Sequence, residues 1–338
     1  MRVLSGQLGG RRRPTIEDVA ARAGVSRQTV SRAINAKGEI HPDTRTRVLA
    51  AIDELGYRPN RLAQGMVTRR TRTVGLVAGD IRNPFFGEVA HGASTELGAH
   101  DHKLVVMDTY EDAERELAAL TELSHDVDGI IAFLYHSKLA ELEAVATTVP
   151  SLVVLNRDVP LPGARVLTID LVTGGRLAAE HLIARGHRRL AVVVNATQAA
   201  GTGRRVGGFL VAAAEAGIED VVQLPALPSM PGGSEVGAEL VRSHPEVTGV
   251  FAYNDLVAAG LIGSVRRAGW MIPDDLAVVG CDDIAIASAW DPPLTTVRIG
   301  AEHVGTVAAK HALELLGVGE PAPSGDVFGV ELVVRASS

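Results

Sequence analysis

A short segment near the N-terminus places hydrogen-bonding side chains at the start of a predicted helix. These side chains are Arg27, Gln28, Thr29 and Arg32, and they fall opposite an apolar side formed by Val30, Ala33 and Ile34. Ser26 precedes them and can cap the helix through its hydroxyl group. Guanidinium and amide groups at a helix N-terminus have the chemistry needed to contact base edges in a DNA groove.

The segment before this helix has the pattern of a partner helix that would hold it in place. Thr15 and Asp18 can form a reciprocal cap, and Gly24 can supply the turn between the helices. Apolar residues recur at helical spacing, at Ile16, Val19, Ala20 and Ala23. This layout is typical of a helix-turn-helix, but it also occurs inside helical proteins that bind no DNA. Spacing alone therefore leaves both interpretations open.

A third predicted helix completes a small helical domain over residues 14–58. It starts near Pro42, which is tolerated in a first helical turn, and it ends at Gly56. Its apolar stripe consists of Val48, Ile52 and Leu55. Three helices around one small core would give the second helix a rigid mount.

The segments on either side of this domain have different patterns. Residues 1–13 show no periodicity and end in three consecutive arginines, which predicts a disordered basic tail. Residues 59–72 predict a short helix near Asn60–Val67, weakened by Gly65, and then a linker.

The charge of the chain is divided unevenly. Residues 1–72 hold 15 Lys and Arg against 6 Asp and Glu, a net charge of +9, and the remainder holds 18 against 34, a net charge of −16. A basic head on an acidic body directs a polyanion such as DNA to the head. Cys281 is the only cysteine, which excludes an internal disulfide framework and suits a reducing cytoplasm. No apolar run approaches the length of a membrane span, so we predict a cytoplasmic protein.

Residues 73–338 predict an α/β body, because short apolar runs alternate with helical stretches of ten or more residues. The runs are Val74–Ala78, Leu104–Met107, Gly129–Phe133, Leu152–Leu155, Leu190–Val194, Gly249–Ala252 and Leu276–Gly280. Ligands bind beyond the carboxyl ends of such strands. Polar residues that follow these runs or the glycine-rich loop near 201 are Asp80, Asn83, Asn156, Arg157, Arg205, Asn254 and Asp282. Asp108 and Asp283, in similar places, are interpreted as local caps.

Aromatic residues near these positions have two interpretations. Phe85 and Trp290 are candidates for stacking on a ligand ring, with core packing as an equal alternative, whereas Phe86 and Tyr135 favour the core. Enzyme and metal motifs are missing. The loop around residues 201–206 misses the dinucleotide-binding fingerprint at its last glycine, and the two histidines at 181 and 187 are spaced poorly for a shared metal. We therefore predict no catalysis, cofactor or metal.

The first seventy residues resemble the lactose-repressor (LacI/GalR) family of bacterial transcription regulators. The matching segments are Thr15–Ala20, Ala23–Ser26, Thr29–Arg32 and Leu55–Asn60. The resemblance implies DNA contacts by Thr15, Ser26, Arg27, Gln28, Thr29, Ser31, Arg32, Asn35, Asn60, Ala63 and Met66. Arg27 and Gln28 match the family's specificity positions, where Arg suits guanine and Gln suits adenine. It also implies that the segment after Asn60 folds as a hinge helix on the operator, with Met66 as an apolar wedge in the minor groove.

The resemblance continues through the body, in segments such as Asp80–Phe86, Arg205–Phe209 and Pro293–Val297. It implies the fold of periplasmic sugar-binding proteins, with two Rossmann-like subdomains around a small ligand. The first subdomain would span about 73–168 and 299–326, and the second about 169–298 and 327–338. Implied effector-binding residues are Asp80, Asn83, Phe85, Asn156, Arg157, Arg205, Asn254, Asp282 and Trp290.

Together these features predict a homodimeric transcription regulator that binds a palindromic DNA operator, and a repressor is the favoured kind. A small ligand would control this binding, and a sugar is the favoured ligand. A purine or nucleoside effector would use the same fold. A solute-binding transport protein would share the body, but it would need an export signal and no DNA-binding head. The sequence does not determine whether the ligand releases or promotes DNA binding.

Overall fold

The computed structural model describes residues 14–35, 40–57, 70–149, 151–157, 159–197 and 202–338. The chain divides into two compact units, one ending at Thr71 and the other starting at Arg72. The predicted basic tail and the predicted hinge helix, with Asn60, Ala63 and Met66, lie outside the described residues.

The first unit contains the predicted helix-turn-helix. Its helices are α1 (Ile16–Ala23), α2 (Arg27–Asn35) and α3 (Pro42–Leu55). The Thr15 N–H donates to Asp18 Oδ2 at 2.7 Å and the Asp18 N–H donates to Thr15 Oγ1 at 3.4 Å, which is the predicted reciprocal cap. Gly24 ends α1 with φ of +69°, a backbone conformation that favours glycine. Val19, Val30 and Val48 are completely buried where the three helices meet, so this small core holds α2 in place.

The body contains two six-stranded sheets, and the first has the strand order β11-β5-β4-β3-β1-β2. All its strand pairs are parallel. Its strands are β1 (Thr73–Ala78), β2 (Lys103–Asp108), β3 (Gly129–Phe133), β4 (Leu152–Leu155), β5 (Ala164–Ile169) and β11 (Val327–Phe328). Its helices are α4 (Pro84–Ala99), α5 (Ala113–Asp126), α6 (Leu139–Ala146) and α11 (Ala301–Leu315). We call this sheet with its helices the first lobe.

The second sheet has the order β12-β10-β9-β8-β6-β7, and only its β10–β12 pair is antiparallel among the described strands. Its strands are β6 (Leu190–Asn195), β7 (Val222–Ala226), β8 (Gly249–Phe251), β9 (Ala277–Asp282), β10 (Thr295–Arg298) and β12 (Glu331–Val333). Its helices are α7 (Leu171–Ala184), α8 (Thr202–Glu215), α9 (Met230–Ser243), α10 (Asp255–Arg267) and a 3₁₀ turn (Ala285–Ser288). This is the second lobe.

The chain crosses between the lobes three times: after β5, before α11 and after β11. The strands of the first lobe extend one or two residues past the approximate boundaries predicted from the sequence. The first lobe continues to Ile169 rather than 168, and to Phe328 rather than 326, because β11 pairs with β5 through Val327–Thr168 and Phe328–Ile169. Residues at or after the carboxyl ends of strands in both sheets line one cleft between the lobes.

Candidate functional site

The outer face of α2 presents the side chains that the sequence predicts for base contacts. Arg27, Gln28 and Arg32 are exposed, while Val30 and Ala33 on the other face are buried in the head core. The amphipathic pattern of α2 therefore separates its packing face from a polar face that is open to a partner.

Two predicted DNA contacts also maintain the helix start. Ser26 Oγ accepts the Thr29 N–H at 3.2 Å and lies 2.9 Å from Thr29 Oγ1. Thr15 is similarly engaged in the cap of α1. Ser31 is partly buried, and the side chain of Asn35 lies outside the described part of the chain.

Arg27 also contacts the first helix, since its Nη1 lies 3.1 Å from Glu17 Oε1. Both side chains are more than half exposed, so this ion pair adds little stability. The pair can orient the Arg27 guanidinium at the start of α2. The guanidinium can also leave Glu17 for a stronger acceptor.

The second candidate site is a cleft between the two lobes of the body, which we call the inner cleft. Seven of the predicted effector residues line it: Asp80, Asn83, Phe85, Asn156, Arg205, Asn254 and Asp282. It encloses about 40 Å³, enough for only a few water molecules. The structure therefore shows the lobes close together.

Arg205, at the start of α8, supplies the positive charge of the inner cleft. Its side chain is only 6% exposed, its Cζ lies 4.3 Å from the centroid of the Tyr253 ring, and its Nη1 donates to the Tyr253 carbonyl. Its Nε is buried and has no hydrogen-bond partner among the described residues. A buried donor without an acceptor is costly, and a ligand oxygen would satisfy it.

Asp282, at the end of β9, supplies the facing carboxylate. It is 7% exposed, and its Oδ2 accepts a hydrogen bond from Asn83 Nδ2 of the first lobe at 3.3 Å. Burial raises its pKa to about 6, against the opposing effect of Arg205. Its φ of +119° is unusual for a residue with a side chain, and such strain occurs where a side chain must be aimed at a site.

Asp255 fixes the loop that follows Asp282. Its carboxylate accepts the Thr296 hydroxyl at 2.6 Å and the Ile284 N–H at 2.9 Å, and burial raises its pKa well above the ordinary value. The neighbouring Asn254 caps α10 by accepting the Val257 N–H at 2.9 Å, yet it still lines the inner cleft.

Aromatic side chains form the apolar part of the lining. Phe85 and Phe86 are buried edge-to-face against Phe133, with ring centroids 5.2 to 5.9 Å apart, and both reach the inner cleft. Tyr135 also lines it, although the sequence favoured a core position for Phe86 and Tyr135. The fully buried Glu116 carboxylate accepts the Tyr135 N–H at 2.8 Å, which holds the turn after β3.

Two predicted effector residues lie elsewhere. Arg157 Nη1 donates to the carbonyl oxygens of Leu134 at 2.7 Å and Ser137 at 3.3 Å, so this side chain joins the ends of β3 and β4. Trp290 packs, partly buried, against the larger core and does not line the inner cleft. Neither side chain lines the closed inner cleft, and their contact with a ligand stays a prediction.

Sequence reasoning missed two polar residues in the lining, Tyr253 and Glu111. Tyr253 directly precedes Asn254 after β8, so the rule that selected Asn254 also points to it. Glu111 follows β2 by three residues, and its Oε2 lies 3.3 Å from His136 Nε2. The pKa of His136 is raised, since nearby Glu111, Glu116 and Asp112 outweigh its partial burial.

Other polar groups have structural roles. Asp80 lines the rim of the inner cleft and pairs with Arg82 at 2.7 Å, which lowers the pKa of Asp80. Asp283 bridges Arg298 and Arg335, each at 2.6 Å, rather than capping a helix. The described residues contain no cluster of three or more Asp, Glu, His or Cys able to hold a metal ion, and none of their helices is long and apolar enough to cross a membrane.

Comparison with known proteins finds a family match for the segment that contains each candidate site. Residues 15–60 match the family described as bacterial regulatory proteins, lacI family, and residues 179–338 match a periplasmic binding protein-like domain. The chain is 36% identical to the HTH-type transcriptional regulator GalS of Salmonella typhimurium, over 89% of each chain.

Two solved structures are similar along nearly the whole chain. A complex of the transcriptional regulator CelR with cellobiose is 31% identical with a TM-score of 0.69, covering 96% of this chain and 100% of that one. A Lac repressor bound to ONPG in the repressed state is 25% identical with a TM-score of 0.85, covering 97% and 100%.

Proposed function

The chain belongs to the lacI family of bacterial regulatory proteins, and on that premise we propose that a small ligand in the inner cleft controls its affinity for a DNA operator. The exposed face of α2 would read the operator through Arg27, Gln28 and Arg32. One such head is too small for tight specific binding, so two chains would bind a palindrome as a homodimer. The protein would act in the cytoplasm, where the DNA is.

The observation that carries this proposal is the buried Arg205 Nε, which has no acceptor within the described part of the chain and lines the same cleft as Asp282. Together with Asn83, Asn156 and Asn254, these groups offer fixed donors and acceptors at the ends of several strands. Such an arrangement suits the vicinal hydroxyl groups of a sugar, and a CelR relative has been solved with cellobiose bound. The cleft would bind its ligand and catalyse no reaction.

A nucleoside or purine is a second candidate ligand, favoured by the aromatic lining of Phe85, Tyr135 and Tyr253. The rings of Phe85 and Phe86, however, are engaged with Phe133, Tyr135 also lies 5.7 Å from Phe133, and the Arg205 guanidinium lies over the Tyr253 ring. Little aromatic surface is therefore open for stacking in this arrangement. A transport protein is disfavoured, because residues 15–60 match a family of bacterial regulatory proteins. A transport protein would not need such a DNA-binding domain.

Ligand binding would act by moving the lobes. A sugar ring needs more room than the 40 Å³ of the inner cleft, so the lobes or their side chains must shift. Polar contacts between the lobes include Asn83 to Asp282 at 3.3 Å, the Ala285 N–H to Glu88 at 3.2 Å, and Arg204 to the Asn156 carbonyl at 2.9 Å. Changing these contacts would change the spacing of the two heads in the dimer, with a coupling free energy of about 1–3 kcal/mol.

A gel-shift experiment tests this function directly. The full chain is titrated onto DNA from upstream of its own gene, with and without a panel of sugars and nucleosides. We expect a specific complex whose affinity changes with one ligand class. Binding that is equal on scrambled DNA under every condition would contradict the regulator function, while specific binding unaffected by any ligand would contradict only the effector.

A further inference from the structure

A second, larger cavity opens next to the inner cleft, and we call it the outer cavity. Its volume is about 470 Å³, and its polar lining includes Glu88, Asp282, Asp283, Arg298, Glu302 and Thr306. Asp282 lines both spaces, so the outer cavity and the inner cleft are adjacent at this residue. The volume falls within the range of ordinary ligand sites.

The lining of the outer cavity selects the chemistry of its occupant. No large apolar side chain is among the described residues that form it, so an apolar substituent would gain little there. Four carboxylates against Arg298 and His303 would repel a phosphate or a carboxylate. Carboxylate oxygens accept hydrogen bonds from hydroxyl groups and guanidinium groups donate to them, so a neutral polyhydroxylated group fits.

Both lobes contribute to this lining, which connects its occupant to the movement of the lobes. Glu88 belongs to α4, and Glu302 and Thr306 belong to α11, all in the first lobe, while Asp283 and Arg298 belong to the second. Arg298 is held in place by Asp283 at 2.6 Å and Glu331 at 2.7 Å. Glu88 uses Oε1 to accept the Ala285 N–H across the lobes.

We infer that the effector is a saccharide of at least two units, with one ring in the inner cleft and the next in the outer cavity beyond Asp282. This inference rests on the proposed function, which places the ligand in the inner cleft. A single ring would leave the outer cavity to water, whereas a disaccharide gains the hydrogen bonds of both spaces.

Isothermal titration calorimetry on the full chain tests the inference. The probes are the monosaccharides glucose, galactose and ribose and the disaccharides cellobiose, maltose and lactose. We expect the best disaccharide to bind at least tenfold more tightly than its own constituent monosaccharides. A Glu302→Trp variant, which fills the outer cavity from an exposed helical position, should reduce this ratio to about twofold or less.

Two further variants make the test decisive. Glu314→Trp, at an exposed position on the same helix but outside the cavity, should keep the ratio of the original chain. Thr306→Val removes one hydroxyl without adding volume, and it should lower the ratio of disaccharide to monosaccharide affinity at least threefold. This variant keeps the test valid if the Trp variant fails to fold. Equal binding of mono- and disaccharides would overturn the outer subsite alone. No binding by any of the six sugars would overturn the saccharide effector as well.

Discussion

We expect ligand binding to depend most on Asp282, because it lines both spaces and its pKa is raised to about 6. Burial is the main cause, while Arg205 and Asn83 act in the opposite direction and Glu88 adds to the rise. Above pH 6 the carboxylate is ionised and accepts strong hydrogen bonds from ligand hydroxyls. Below pH 6 it is protonated, so ligand binding should weaken as the pH falls.

We therefore expect the dissociation constant of the best saccharide to rise between pH 7 and pH 5, by up to about tenfold per pH unit below the pKa. Calorimetry across this range measures the profile. Asp282→Asn should bind more weakly and show no inflection near pH 6. If that variant kept the profile of the original chain, the titrating group would lie elsewhere, with His136 as the next candidate.

We expect operator choice to depend on Arg27 and Gln28. Each is exposed on α2, and each can form a bidentate pair with one purine. Arg27→Ala or Gln28→Ala should relax the preference at particular base pairs by roughly 1–3 kcal/mol each. Binding to a set of singly substituted operators checks this. Equal weakening on every sequence would mean that the side chain contacts only phosphate groups.

Single residues also show how far sequence reasoning reaches. The positions of Asn83, Asn254 and Asp282 in the cleft lining were predictable, because each lies at or beyond the carboxyl end of a strand, where a parallel sheet places its ligands. Arg157 is placed in the same way, but its guanidinium turns to the carbonyl of Leu134, 23 residues earlier in the chain. Adjacency along the sequence does not reveal such a contact. The sequence could not predict that the buried Arg205 Nε lacks an acceptor among the residues that the structure describes, since this depends on three-dimensional packing.

At the level of elements, the position of Arg205 depends on how closely α7 and α8 approach. A Cβ on Gly175 of α7 would lie 1.8 Å from the Arg205 carbonyl oxygen, and a Cβ on Gly208 of α8 would lie 2.0 Å from the Val172 carbonyl oxygen. The backbones are therefore in direct contact on both sides. Any side chain at Gly175 must push α8 away and move Arg205 with it.

Gly175→Ala should destabilise the fold by about 1–3 kcal/mol and weaken ligand binding in the inner cleft. Gly207→Ala is the matched control, since a Cβ there meets nothing within 4 Å and Ala is the better helix former. Urea denaturation and calorimetry measure the two effects. Normal ligand affinity in a destabilised Gly175→Ala protein would show that the helix contact does not position Arg205.

Elements differed in how well the sequence predicted them. Strands of continuous apolar residues, such as β1 and β3, were located almost to the residue. β7 and β10 were not located as strands, because Gln223 and Pro225 interrupt β7 and threonines begin β10. β7 is an edge strand in which only Leu224 and Ala226 are buried. β10 lies between β9 and β12, and this position buries its threonines, which the sequence alone does not indicate.

At the level of the whole molecule, the edge of the first sheet is the best candidate for the dimer contact. β2 is an edge strand, and its Val105 and Val106 are 45% and 44% exposed, with exposed Ile81 and Tyr110 among the flanking loop residues. An apolar edge with unpaired backbone groups favours association with another chain.

Val106→Lys should therefore shift the protein towards monomer and weaken operator binding at least tenfold at nanomolar concentration. Sedimentation velocity measures the assembly. Val327→Lys, on the opposite edge strand of the same sheet and at a 64% exposed position, is the control and should stay dimeric. A Val106→Lys protein that remains dimeric would place the interface on another surface.

The coupling between the two sites must also be reciprocal in the assembled dimer. If a saccharide changes the operator dissociation constant by a given factor, expected at about 5- to 150-fold, the operator must change the saccharide dissociation constant by the same factor. Operator binding is measured with and without saturating saccharide, and saccharide binding with and without saturating operator duplex. Agreement within about twofold would indicate that the ligand acts on the lobes of an intact dimer. A clear inequality would mean that a further equilibrium takes part, and dimer dissociation is the natural one. In that case the difference should disappear when protein concentration is raised, because mass action restores the dimer.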